Sequence, residues 1–133
     1  MKQVHEQASR IRPGIKVTAA VWPNWPGCRD EIGQDWGMWA RKRWLDSALV
    51  MNYTASPIEF RTRERVHIEA AGGAIPVYPG IGASAPGLTA DQVIHQVTIA
   101  RECGAKGFIL FNLDRRLVDE ILPAMALGVT RTH

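Results

Sequence analysis

Aromatic and amide side chains stand at the ends of two apolar runs of this sequence. Trp22 closes the first run, with Asn24 and Trp25 just after it, and Asn52 and Tyr53 close the second. The face of an indole or phenol ring packs on the C–H groups of a sugar, while amides and phenols hydrogen-bond its hydroxyl groups. These residues predict saccharide binding if both runs end at one edge of a sheet. Packing and anchoring of the two loops is the competing interpretation.

The elements that would position these residues are four short apolar runs, each typical of a buried strand. They occupy residues 15–22, 48–53, 74–78 and 107–111. Their starts lie about 30 residues apart with helical patterns between them, the spacing of βα units rather than of hairpins. The sequence therefore predicts an α/β fold of four parallel strands alternating with about five helices. One domain is expected over residues 1–133.

Two further candidates follow the third and fourth runs. Tyr78 closes the third run, and residues 79–82, Pro-Gly-Ile-Gly, predict a tight turn after it. Asp114 follows the fourth run and could be an acid or the cap of the last helix. Thr89 and Gln92 have the spacing of a capping box, which predicts the start of a helix.

The composition argues against several other classes of protein. The net charge of +3 comes largely from short arginine clusters such as residues 61–65, which we interpret as solvated helix faces rather than a nucleic-acid surface. Cys28 and Cys103 form no Cys-x-x-Cys pair, and His67 and His95 lie in separate helices without a partner at metal-ligand spacing. We expect no metal, no cofactor and no nucleic-acid partner. No signal peptide or membrane-spanning run is apparent.

Several motifs together resemble the glycosyl-hydrolase-like family 10 proteins over roughly residues 15 to 114. They are Gln-Asp-Trp at 34–36, Trp-Leu-Asp at 44–46, Met-Asn-Tyr-Thr at 51–54, Tyr-Pro-Gly-Ile-Gly at 78–82 and Gly-Ala-Lys-Gly-Phe at 104–108. The resemblance implies a (β/α)8 barrel that hydrolyses carbohydrate. This chain would be its second half, containing strands five to eight.

Glycoside hydrolysis normally needs two carboxyl groups, about 5–9.5 Å apart. Asp114 is the only carboxylate in the segments that end the four predicted strands. We therefore predict half of a carbohydrate-binding cleft that is not a competent hydrolase alone, with Asp114 as the candidate acid. The predicted saccharide-binding residues are Trp22, Asn24, Trp25, Asn52, Tyr53 and Tyr78.

Two alternatives remain open at this point. One is a non-enzymatic module in which half-barrels associate as a homodimer through their open sheet edges. The other is an open flavodoxin-like sheet that binds a phosphate ligand at residues 80–85, where Ser84 would contribute.

Overall fold

A computed structural model describes residues 1–130 of the chain. Strands and helices alternate along it. The strands are β1 (Thr18–Val21), β2 (Ser47–Val50), β3 (Val77–Ile81) and β4 (Ile109–Leu110). The helices are α1 (Lys2–Ile11), α2 (Gly27–Ile32), α3 (Trp36–Arg41), α4 (Pro57–Ala71), α5 (Ala90–Glu102) and α6 (Leu122–Ala126), the last preceded by a π-helical turn at Leu117–Ile121.

The four strands form one parallel sheet in the order β1-β2-β3-β4. The predicted α/β fold of four parallel strands alternating with helices is confirmed. Consecutive strands are neighbours throughout the described sheet, as they are in a (β/α)8 barrel. A doubly wound sheet reverses its strand order at the point where ligands bind, so the flavodoxin-like alternative is wrong in topology.

The two faces of the sheet differ in what covers them. On one face, Val21, Val50 and Val77 pack with Trp36 and other residues of the helices in a buried cluster. Ile81 belongs to a second buried cluster, built mainly from α5 and from Leu117, Ile121 and Met125, with Phe60 of α4. The helices thus cover this face along its whole width, from β1 to β4.

The opposite face, which we call the open face, carries the alternate residues of the strands. Ala20 and Ile109 are exposed there, and Leu49 and Tyr78 are only half-buried. Leu49 and Tyr78 lie side by side in the register of β2 and β3. A closed barrel would bury this face, whereas here it stays accessible.

Capping residues set the limits of the two longest helices. The Ser56 hydroxyl accepts a hydrogen bond from the Glu59 N–H at the start of α4, and Gly72 ends that helix with φ 58°. Thr89 and Gln92 form the predicted capping box of α5, with bonds of 3.3 and 2.9 Å. None of the helices in the described part of the chain is long and apolar enough to cross a membrane.

The third strand lies further along the chain than the sequence predicts. It spans Val77–Ile81 rather than residues 74–78, so the predicted tight turn at 79–82 is wrong for most of its length. Gly80 is needed inside the strand because a Cβ there would lie 2.9 Å from Cε1 of Tyr53 and 3.1 Å from the Val50 carbonyl oxygen. This glycine serves close packing on β2 instead of a turn.

Candidate functional site

The carboxyl edge of the sheet is formed by the four segments that follow the strands. They are residues 22–25, 51–54, 82–84 and 111–114. Ser84 joins the last two segments, because its N–H donates to the Phe111 carbonyl at 3.0 Å and its hydroxyl accepts from the Asn112 N–H at 2.9 Å. In α/β barrels this edge is where ligands bind.

Trp22 presents its ring at this edge. The side chain is 54% exposed. Its backbone is held firmly, since the N–H donates to Oε1 of Gln34 at 2.9 Å and the carbonyl accepts from Nε1 of Trp36 at 3.2 Å. Trp22 lies two residues beyond Ala20, so it extends the open face. An exposed indole on a fixed backbone is suited to stacking on a ligand.

Tyr53 and Phe111 form a second aromatic surface at the same edge. Their rings are stacked, with centroids 5.1 Å apart and planes inclined by 21°. Phe111 is 43% exposed, while burial raises the pKa of the Tyr53 phenol. The Tyr53 hydroxyl therefore remains protonated at neutral pH and can donate a hydrogen bond.

Trp25 packs against the protein, in contrast to Trp22. Its ring centroid lies 5.2 Å from that of Trp36. A Cβ at Gly37 would lie 2.7 Å from Cζ2 of Trp25, so the indole covers that helix directly. Asn24 is exposed and lines a shallow cavity of about 210 Å³ with Trp25 and Arg63. Loop packing accounts for Trp25, and Asn24 remains accessible to a ligand.

Asn52 has no exposed surface. Its Nδ2 donates to the Phe60 carbonyl of α4 at 3.1 Å, which anchors the loop after β2. Its Oδ1 has no hydrogen-bond partner among the described residues. The structure therefore gives Asn52 the anchoring role rather than a position where a ligand could reach it.

Tyr78 is not at the carboxyl edge. It is the second residue of β3, because that strand begins at Val77. A Cβ at Gly107 would lie 2.8 Å from the Tyr78 ring, and Tyr78 lines a cavity of about 490 Å³ with Ile75 and Lys106. The sequence placed Tyr78 with the other site residues only because it placed the end of β3 too early.

Asp114 caps the last helical segment. Its Oδ1 accepts a hydrogen bond from the Leu117 N–H at 2.7 Å. In the segments that follow the strands it is the only carboxylate, so the two-carboxylate arrangement of glycoside hydrolysis is absent from this part of the described chain. The described residues also contain no group of three or more histidine, cysteine, aspartate or glutamate side chains that could hold a metal ion.

Comparison with protein-family models, with curated proteins and with solved structures finds no match for this chain. The functional interpretation therefore depends on the residues of the site itself.

A buried pair of ionisable groups lies next to the site and was not predicted from the sequence. Glu64 and His67 of α4 are both 0% exposed, and Oε2 of Glu64 lies 3.3 Å from Nδ1 of His67. Nε2 of His67 lies 2.8 Å from the carbonyl oxygen of Pro23, in the loop that carries Trp22. The i,i+3 spacing of a glutamate and a histidine on one helix was the available signal. The sequence predicts a surface or half-buried structural histidine at position 67, whereas the structure buries His67 completely beside Glu64.

Proposed function

We propose that this chain forms the carboxyl-terminal half of a carbohydrate-binding cleft in a glycoside-hydrolase-like (β/α)8 barrel. One observation carries the proposal. The exposed Trp22 ring and the stacked Tyr53–Phe111 pair extend the open face at the carboxyl edge of four parallel strands in sequential order. That edge is the ligand-binding end of barrels, and such rings provide flat apolar surfaces for sugar rings.

The arrangement supports binding without catalysis. Asn24 and Asn112 are exposed at the same edge and offer amide groups to sugar hydroxyls. Asp114 already accepts a backbone hydrogen bond, and no second carboxylate accompanies it in the segments after the described strands. The acid and the nucleophile or base of a hydrolase would have to come from outside these strands. We expect the isolated chain to bind oligosaccharide and to leave its glycosidic bonds intact.

Replacing Trp22 by alanine tests the proposed binding surface. We expect affinity for the best oligosaccharide in a panel of glucans, xylans and mannans to fall about tenfold, because the stacking surface is lost. Isothermal titration calorimetry with each variant measures this change. Trp22→Phe is the matched control, since it keeps a flat ring and should retain most of the affinity.

Two results would contradict the proposal. One is that the unsubstituted chain binds no oligosaccharide in the panel. The other is that Trp22→Ala binds as tightly as the unsubstituted chain does.

A second candidate function, assembly through the open face, is favoured by a different observation. Ile109 is 37% exposed and Phe111 is 43% exposed on this face, next to the edge of β4 that pairs with no other described strand. Barrels of this type need eight strands, and two copies of four parallel strands would supply them. Unpaired strand edges and apolar patches are both sites of association.

Replacing Ile109 by lysine tests assembly. A charge on the open face has to be desolvated when a second copy covers it, so we expect dimerisation to weaken at least about tenfold. Light scattering after size-exclusion chromatography at several concentrations gives the mass. Ile58→Lys is the control, because Ile58 is 79% exposed and belongs to α4 rather than to the open face of the sheet. An unsubstituted chain that is monomeric at every concentration would exclude this candidate.

A further inference from the structure

The buried Glu64–His67 pair has no role in the binding surface described above, yet it touches the loop that presents Trp22. We call residues 22–26, which connect β1 to α2, the stacking loop. His67 Nε2 lies 2.8 Å from the Pro23 carbonyl oxygen, across 44 positions of sequence. Both side chains of the pair are completely buried, so the contact is shielded from water.

The contact with Pro23 determines that Nε2 of His67 carries a hydrogen. A carbonyl oxygen can only accept, so Nε2 must carry the hydrogen in the contact with Pro23. Glu64 faces Nδ1 at 3.3 Å, either as a carboxylate that accepts from Nδ1–H or as a carboxylic acid that donates to Nδ1. Both assignments place a hydrogen on Nε2 and leave the pair without net charge.

The same loop segment is held by two further groups. The Trp22 carbonyl accepts from Nε1 of Trp36 at 3.2 Å, and the Trp22 N–H donates to Gln34. The Trp36 ring meets the His67 ring edge to face, with centroids 6.0 Å apart and an interplanar angle of 68°. The two carbonyls that follow β1 are therefore bound by neighbouring rings, one from α3 and one from α4.

We propose that His67 is a positioning residue for saccharide binding: its Nε2–H holds the stacking loop through the Pro23 carbonyl, and Glu64 keeps the hydrogen on that nitrogen. The position of the Trp22 ring is thereby tied to α4. This inference rests on the proposed function for its effect on saccharide affinity. Its effect on the loop itself does not depend on saccharide binding.

The test compares two double variants of similar size and no net charge at the pair. In Glu64→Gln with His67→Gln, the amide of residue 67 can donate to the Pro23 carbonyl and accept from residue 64. In Glu64→Leu with His67→Leu, the Pro23 carbonyl keeps only the hydrogen bond from the Trp25 N–H within its own loop and loses its donor on α4, but no carboxyl group is left buried without a partner. His95→Leu, an exposed change on α5, is the control.

Two readouts separate the proposal from a general loss of stability. The first is the hydrogen-exchange rate of the Trp36 Nε1–H, measured by nitrogen-15 NMR, since this group is bound to the stacking loop. The second is affinity for the oligosaccharide identified with the unsubstituted chain. We expect the leucine pair to speed exchange about tenfold and to weaken affinity by a similar factor, whereas the glutamine pair and the control stay near the unsubstituted protein.

Three outcomes of this test bear on the positioning role of His67 or on the proposed function. Equal exchange rates in the leucine and glutamine pairs would overturn the positioning role. If the leucine pair fails to fold, nitrogen-15 NMR of the unsubstituted protein still tests the positioning role. If His67 Nε2 carries no slowly exchanging hydrogen in that protein, the positioning role is overturned. If the exchange rates behave as expected but the unsubstituted chain binds no saccharide, the proposed function fails and the hold of His67 on the loop is supported.

Discussion

Replacement of Trp36 by alanine is expected to destabilise the protein by about 3–5 kcal/mol, the range for a large aromatic side chain removed from a core. Trp36 is 0% exposed and is the largest of the fully buried side chains. It also donates a hydrogen bond to the Trp22 carbonyl and contacts the Trp25 ring. A domain of this size has about 5–15 kcal/mol of stability in total, so this one substitution would remove a large share of it.

Urea denaturation followed by circular dichroism measures this loss. Trp22→Ala is the matched control, because it removes the same side chain from a position that is 54% exposed and is expected to cost less than about 1 kcal/mol. The comparison also separates binding from folding, since only the Trp22 variant is predicted to lose saccharide affinity while it keeps nearly the full stability of the unsubstituted chain. A Trp36→Ala variant as stable as the Trp22→Ala variant would contradict the core described for this chain.

The strand number, the parallel arrangement and the start of α5 could all be predicted from the sequence. The spacing of apolar runs determines the first two, because strands separated by helix-length segments run parallel. The capping box at Thr89 is a local signal that needs no tertiary information. These features can be recognised from patterns along the chain without any knowledge of tertiary contacts.

The limits of β3 could not be predicted in the same way. Pro79 and Gly80 are turn residues by local preference, yet both lie inside the strand. Gly80 is required by the Tyr53 ring and the Val50 carbonyl, which belong to another part of the chain. Tertiary packing therefore outweighs local preference at these residues. Because the end of β3 was predicted too early, Tyr78 was included among the predicted site residues.

Alternation along β2 explains why two of the predicted site residues, Asn52 and Tyr53, face opposite sides of the sheet. Val50, Asn52 and Thr54 are buried, while Met51 and Tyr53 are half-buried. Asn52 thus continues the helix-facing side of the strand and Tyr53 continues the open face. The alternation of side chains along a strand could therefore have predicted that Asn52 is buried and Tyr53 faces the open side. The difference between Trp22 and Trp25 depends on the contact of Trp25 with Gly37, and no local pattern in the sequence indicates that contact.

Buried hydrogen bonds connect α4 and α5 to the loops at the carboxyl edge of the sheet. Asn52 donates to the Phe60 carbonyl of α4, and Gln96 of α5 donates to the Thr54 carbonyl at 2.8 Å. His67 of α4 binds the loop after β1 in the same manner. Buried polar groups require partners, and here those partners belong to the loops at the carboxyl edge. The helices therefore determine the positions of the loops that hold the aromatic rings.

The second large effect is expected from His67→Leu alone. That substitution leaves the Glu64 carboxyl group at 0% exposure without the histidine that faces its Oε2, while its Oε1 already lacks a hydrogen-bond partner among the described residues. Removing one member of a buried ion pair costs about 3–5 kcal/mol, because the remaining group is desolvated and no longer has a partner to compensate for the loss of hydration. We expect a loss of this size in the free energy of unfolding in urea.

The double variant with leucine at both positions is expected to be more stable than His67→Leu by about 2 kcal/mol, although it carries one more substitution. Two apolar side chains of similar volume need no partners, so the second change removes the stranded carboxyl group rather than another contact. A double variant no more stable than His67→Leu would show that Glu64 reaches solvent or another partner once His67 is gone. Recovery of this size would show that a large part of the loss in His67→Leu comes from the stranded carboxyl group rather than from the contacts of the pair. The retention of the pair in the core would then be explained by the orientation of the loop that holds Trp22.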